Sequence, residues 1–368
     1  MVAISLMPPP ARRLAALDIF RGATMASMIL VNNAGNWDHV YSPLLHKDWH
    51  GWTFTDTVFP FFLWIVGVAI TLSTARRIES GQSRVDLLGH ALRRAVIIFA
   101  AGFLLSAAPD FHWATIRIPG VLQRIAVCYL IAFLIFLWTS WRGQLGAIVG
   151  LNAVYWLLMQ YYPVPGCGAG SYDAGCNFAR HIDSLVLSGH MYSRTKFYDP
   201  EGIVSTLPAI ATVLFGILAG HLLRSMEDPN WLLLRLGAYG VFLFCLGSIL
   251  DLWIPINKQL WTTSYMALMA GLAMIWFGIW YFIADVAGWR RWLKPFEVFG
   301  SNAILIYILS GAIAKYMGRT GLTAKTYGWL VSTGLQPVNA SLAYAILNVL
   351  ACYLAAWLLW RRGWFVKF

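Results

Sequence analysis

The stretch P-L-L-H-K-D-W-H-G-W-T-F-T-D, residues 43–56, runs directly into the apolar stretch 54–75, F-T-D-T-V-F-P-F-F-L-W-I-V-G-V-A-I-T-L-S-T-A. As a helix the apolar stretch rises about 33 Å, enough to cross the ~30 Å hydrocarbon core of a bilayer. Arg76 and Arg77 close it. The polar stretch at its head puts His46, Asp48, His50 and Asp56 within eleven residues, with Trp49 and Trp52 among them. Ionisable groups at the mouth of a membrane bundle usually mark a site, although a solvated loop holds the same residue types without chemistry.

The same test along the 368 residues gives ten apolar runs, at about 14–33, 54–75, 95–109, 119–138, 144–162, 203–223, 232–253, 262–285, 296–315 and 338–360. The third is the shortest. A chain that is 59% hydrophobic and 12% charged, with mean hydropathy +0.63, has a membrane composition. Nineteen Trp and sixteen Tyr suit aromatic belts at the two interfaces. The expectation is an all-α polytopic membrane helix bundle of about ten transmembrane helices, one domain over 1–368. A leader over 1–12 precedes it, and no cleavable signal is evident because Asp18 and Arg21 interrupt the first run.

The net charge of +11 comes from short basic clusters between the runs, which favours membrane orientation over nucleic acid as its cause. With the N-terminus cytoplasmic, sixteen of the 27 basic residues face the cytoplasm, nine face the other side and Arg21 and Arg124 lie within runs. The positive-inside rule supports that choice. Both termini are then cytoplasmic, while the His46 stretch and the longest loop, 163–201, face the periplasm.

The long loop carries Cys167 and Cys176, which an oxidising exterior either joins or leaves as two thiols. Cys128, Cys245 and Cys352 lie in apolar runs, as small buried hydrophobes do. Asp18 and Arg21 are spaced to pair on one helix face, and Arg124 is a guanidinium among helices that wants an anionic partner. Asp251 and Asp285 lie near span ends, within reach of water. Gly216 with Gly220, and Gly67 with Ala69, suit close helix contact. His46 and His50 are four apart, yet no Glu stands between them as in H-E-x-x-H and Gly51 interrupts a helix, so no metal is expected. Polar residues within the runs also suit a secondary transporter for an amino sugar or cell-wall fragment.

A set of motifs in one order covers most of the chain: L-D-I-F-R-G from Leu17, L-V-N-N-A-G from Leu30, H-K-D-W-H-G-W from His46 and T-D-T-V-F-P-F-F from Thr55. R-I-P-G-V-L-Q-R-I-A from Arg117, Y-D-P-E-G from Tyr198, I-N-K-Q-L-W-T-T-S-Y from Ile256 and F-G-S-N-A from Phe299 continue it. In these the chain resembles the transmembrane acetyltransferases related to heparan-α-glucosaminide N-acetyltransferase, in a bacterial branch of the cytoplasmic (inner) membrane. The resemblance implies that cytoplasmic acetyl-CoA, a co-substrate, gives its acetyl group through the bundle to an amine on the far side. It also implies that His46 is the catalytic histidine with Asn32 beside it, and by analogy a homodimer. The spacing between Asn32 and His46 is longer than in the lysosomal relative, and the large lumenal domain there has no counterpart. A small amino-sugar acceptor, glucosamine-like, is therefore expected.

The chemistry of the residues agrees. Acetyl transfer to an amine needs a base, and imidazole, with an ordinary pKa of about 6.5, suits the task. An Asn32 amide can donate to the developing oxyanion. Asp48 or Asp56 can orient the imidazole or bind the acceptor ammonium, and Asp56 is also a candidate N-cap of the second span. Arg124, Asn257, Lys258 and Asn302 lie in the matched motifs and are candidates to line the route or acceptor pocket. Asp199 and Glu201 are candidates to recognise the acceptor. Arg76, Arg77, Arg93 and Arg94, the densest cytoplasmic cluster, are candidates for the coenzyme A nucleotide. An acetyl-histidine intermediate and direct transfer are both open; direct transfer is preferred because one site reached from both faces suffices.

Overall fold

The computed structural model describes residues 14–193, 195, 197–226 and 228–366. The expected leader, with Arg12 and Arg13, lies outside the described residues, as do Arg194, Lys196 and Lys367. Thirteen α-helices and no strands are found among those described: α1 (Ala15–Asn32), α2 (Phe54–Glu79), α3 (Arg84–Ala107), α4 (Val121–Trp138), α5 (Trp141–Tyr161), α6 (Phe178–Val186), α7 (Thr206–Ser225), α8 (Pro229–Leu250), α9 (Thr263–Tyr281), α10 (Lys294–Ser301), α11 (Ala303–Arg319), α12 (Leu322–Ser332) and α13 (Pro337–Arg361). Seven are long and apolar enough to cross a membrane, and α10 with α11, bent by 75°, make an eighth if the pair is one span. The chain is a polytopic membrane bundle. All ten expected runs are helical, but α1 and α5 are not among those seven or in the bent pair.

The third run departs most from expectation. Helix α3 begins at Arg84, where the Ser83 hydroxyl accepts the Asp86 N–H at 3.2 Å. Its first turns carry charge on one face, so a search for apolarity passes over them. Leu87, Ala91, Ala95, Ile98 and Gly102 nevertheless form one buried stripe at helical spacing.

Helix α2 is the centre, buried along most of its length from Thr55 to Ala75. In lipid, apolar contact with a neighbour helix gains little over contact with acyl chains, so close approach and dispersion decide packing. The glycines provide that approach. A Cβ on Gly67 would lie 2.0 Å from the Val213 carbonyl, and one on Gly216 2.0 Å from that of Trp64, so only glycine lets α2 and α7 meet here. Helices α1 and α10 meet in the same way at Gly22 and Gly300.

Pro60 in α2 has no N–H to give the Asp56 carbonyl one turn back. The Tyr265 hydroxyl supplies it at 2.5 Å, fastening α9 to the head of α2. The polar residues of the runs are similarly engaged. Arg21 pairs with Asp18 and donates from Nε to the Gly300 carbonyl at 2.7 Å. Asp285 accepts the Ala16 N–H at 2.8 Å at the start of α1, and Asp251 accepts the Ile256 N–H at 2.6 Å. Water is the expected partner of both aspartates: Asp251 is exposed as expected, while Asp285 is held by the amide and by Arg290 Nη2 at 2.6 Å.

Candidate active site

The end of α1, the segment before α2 and the first turns of α2 and α4 enclose a cavity of about 450 Å³, lined among others by Asn32, His46, Arg117, Glu201, Lys258 and Tyr307. At its edge His46 Nδ1 lies 2.7 Å from Asp56 Oδ1. The other Asp56 oxygen accepts the N–H groups of Lys47 at 3.1 Å and Thr53 at 3.0 Å. Asp56 thus closes the N-terminus of α2 from its third position, with Thr53 rather than Asp56 as the N-cap. One carboxylate caps the helix and orients the imidazole.

The imidazole side chain is 41% exposed and the carboxylate 0%. A ring nitrogen bound to a buried carboxylate carries the hydrogen, which leaves Nε2 as the basic atom. Lys258 Nζ stands 3.1 Å from Nδ1, 3.3 Å from Nε2 and 3.8 Å from Asp56 Oδ1. Burial draws the lysine pKa down, and Asp56 and Glu201 only partly offset it.

Lys258 is carried by a loop that Asn257 organises. Asn257 Oδ1 accepts the Leu260 N–H at 2.9 Å, its own N–H goes to Thr262 Oγ1 at 3.0 Å, and Trp261 sits at φ +50, a costly conformation for a large side chain. The Gly51 N–H donates to the Ile256 carbonyl at 2.7 Å and joins this loop to the His46 segment. At φ +93, Gly51 takes a backbone conformation that favours glycine.

The opposite wall is built on Arg117. Its Nε and Nη2 grip Asp199 at 2.8 and 2.5 Å, Nη2 also reaches Glu201, and its plane lies over the Tyr192 ring at 4.6 Å. Burial opposes the guanidinium charge, but the two carboxylates prevail and hold it protonated. Burial likewise opposes the Glu201 charge, and Arg117 keeps its pKa below the usual value. Behind the wall, burial pushes Asp183 up to about 6. A Cys167–Cys176 disulfide, Cα–Cα 5.6 Å, encloses Tyr172. The Tyr172 carbonyl accepts Trp49 Nε1–H at 2.8 Å, so the long loop holds the His46 segment too.

Of the expected residues, His46, Asn32, Glu201 and Lys258 line the cavity, with Asp56 and Asp199 directly behind their partners. Asp48 is exposed and outside the lining. Asn257 supports Lys258 from within. Arg124 is buried; its Nη2 donates to Gly202 O at 3.0 Å and Ser205 Oγ at 2.5 Å, while Nε and Nη1 have no hydrogen-bond partner among the described residues. Asn302 stands at the α10–α11 bend and binds the C-terminal segment, donating to Trp364 O at 3.0 Å and accepting from Val366 N at 2.8 Å. Arg117 enters the sequence reading as the first residue of the R-I-P-G-V-L-Q-R-I-A motif and is not a site candidate there. The signal was its place in R-I-P-G opposite the two acids of Y-D-P-E-G.

Arg77, Arg93 and Arg94 line a second hollow of about 260 Å³ with Ser73, Thr74 and His90, and Arg76 is outside that lining. Asp56 and Arg77 lie twenty-one positions apart on α2, about 32 Å of helix rise. Arg94 lies over the Tyr129 ring at 5.1 Å, and its Nε is buried without a hydrogen-bond partner among the described residues. A third, larger cleft of about 1180 Å³ among α5, α7, α8 and α9 is lined mostly by apolar residues and holds none of these groups.

A membrane helix bundle with a His–Asp pair at the edge of a cavity defines a polytopic membrane protein with a candidate acid–base site. The chain belongs to the heparan-alpha-glucosaminide N-acetyltransferase family, whose catalytic region matches residues 13–248. It is 30% identical over 363 residues to heparan-alpha-glucosaminide N-acetyltransferase of Mus musculus, covering 83% of this chain and 54% of the relative. Against the Homo sapiens protein of the same name it is 30% identical over 362 residues, covering 83% and 53%. The chain thus spans about half the length of the curated relatives it matches.

Proposed function

We propose that the protein moves an acetyl group from acetyl-CoA to the amine of a small amino sugar, with His46 as general base. The reading is carried by His46, held through Nδ1 by Asp56 with Nε2 left basic, in a cavity shared with Asn32 and Glu201. The amine nitrogen attacks the thioester carbonyl carbon, and His46 Nε2 takes the proton that attack releases. The Asn32 amide donates to the oxyanion as it forms. The carbon–sulfur bond then breaks, and the coenzyme thiolate leaves with the proton returned from Nε2. Direct transfer needs no covalent histidine intermediate, because one cavity holds base, amide and acceptor wall together. Glu201, ionised beside Arg117, is the partner for the acceptor's ammonium or hydroxyls.

The coenzyme phosphates fit the hollow of Arg77, Arg93 and Arg94, where the unpartnered Arg94 Nε is a donor for an anion. On the positive-inside count that hollow is cytoplasmic and His46 periplasmic, in a bacterial inner membrane. Binding of acetyl-CoA to detergent-purified protein, then release of free coenzyme A on adding glucosamine, tests the proposal. Binding with acceptor-dependent release supports it; no binding at all puts a transporter first.

A further inference from the structure

The long loop holds a carboxylate that the reaction above does not use. Asp183, on α6, is 2% exposed. Its Oδ1 accepts the Ile203 N–H at 3.0 Å and its Oδ2 the Asp199 N–H at 3.4 Å, the two amides that bracket the turn carrying Glu201. On the other side of that turn Arg124 takes the Gly202 carbonyl at 3.0 Å. The turn is gripped by an anion at its N–H groups and a cation at its carbonyl. Gly202 admits the grip, since a Cβ there would stand 2.1 Å from Asp183 Oδ2.

The grip leads to the cavity. Asp199, fixed by Asp183, holds Arg117, and Arg117 holds Glu201. It also leads back to the disulfide, because Asn177, next to Cys176, starts α6 by accepting the Arg180 N–H at 2.8 Å. Burying a carboxylate is costly unless it is hydrogen-bonded or paired, and both Asp183 oxygens are spent on the turn's amides.

We infer that Asp183 is a positioning residue for acceptor recognition: it fixes the 199–203 turn so that Glu201 and Arg117 form one wall of the His46 cavity. The recognition half of this rests on the acetyl-transfer reading; the holding half rests on the geometry alone. Two readouts on the full chain in detergent test it, hydrogen exchange at the Ile203 amide and the kinetics of transfer to glucosamine. In Asp183→Ala, exchange at Ile203 quickens by about tenfold and the acceptor KM rises by about tenfold, while kcat and acetyl-CoA affinity stay within about twofold of the wild type. Gly202→Ala, which pushes the carboxylate away, does the same. Asp183→Asn keeps an oxygen toward the Ile203 N–H and restores slow exchange there, with the KM only partly recovered because its NH2 cannot accept the Asp199 N–H. Unchanged exchange in both alanine variants overturns the grip, and quickened exchange with an unchanged KM overturns its link to recognition. If the wild type transfers nothing to glucosamine, the acetyl-transfer reading fails, and the exchange rates alone uphold or overturn the grip.

Discussion

Asp56 reaches His46 Nδ1 at 2.7 Å with one oxygen and caps the start of α2 with the other. The helix terminus and the base are therefore one structure. Asp56→Asn tests the coupling. An amide at this position no longer selects the Nδ1–H tautomer, and coenzyme A release should slow by about a hundredfold or more. The cap itself weakens by only about 1 kcal/mol, so acetyl-CoA binding should change little. An active Asp56→Asn protein would show that the imidazole needs no carboxylate.

The basic hollow predicts where the coenzyme is held. Arg94→Ala and Arg77→Ala should each weaken acetyl-CoA binding by about tenfold, an effect expected of lost charge-assisted hydrogen bonds to phosphate. Titration calorimetry at two salt concentrations checks this, because the wild type should lose more affinity than the variants as salt rises. Unchanged affinity in both variants would move the nucleotide elsewhere.

The disulfide predicts a selective effect of reduction. The closed loop, with a sequence separation of 9, gains about 2–3 kcal/mol of order from the bond, and Tyr172 inside it holds Trp49. In Cys167→Ser with Cys176→Ser, the acceptor KM should rise several-fold, with acetyl-CoA affinity unchanged. Kinetics identical to those of the wild type would show that the loop holds the His46 segment without the bond.

Asp183 predicts a pH dependence of stability. Its carboxyl is raised by burial to about 6 in the folded protein, from 3.8. Between about pH 4 and 6 the folded state therefore holds a proton that the unfolded chain has lost, and the residue's contribution to stability falls as pH rises through that window. Asp183→Asn, neutral throughout, escapes this loss. Its melting temperature relative to the wild type should rise from pH 4 to pH 7, by the equivalent of at most about 3 kcal/mol. A pH-independent difference would contradict the assignment.

The helical runs were legible in the sequence because apolar length is a local property. The start of α3 was not, since charged Arg84, Asp86 and Arg93 share its first turns with a buried stripe. The helical part of the long loop, α6, was also hidden, being short and bounded by a single capping Asn177. In the site, His46 and Asp56 were near enough in sequence to be read together. Arg117 and Asp199 are 82 residues apart, and their pairing is a fact of tertiary structure that no local pattern carries. The choice between Asp48 and Asp56 was likewise open until the turn at Gly51 was placed.

Acceptor-dependent release of coenzyme A by His46→Ala, measured beside the wild type on samples with equal acetyl-CoA binding, tests the central claim most directly. The account predicts that the variant binds acetyl-CoA as the wild type does and releases no coenzyme A above background when glucosamine is added. Full release by His46→Ala would contradict it and remove His46 from the reaction.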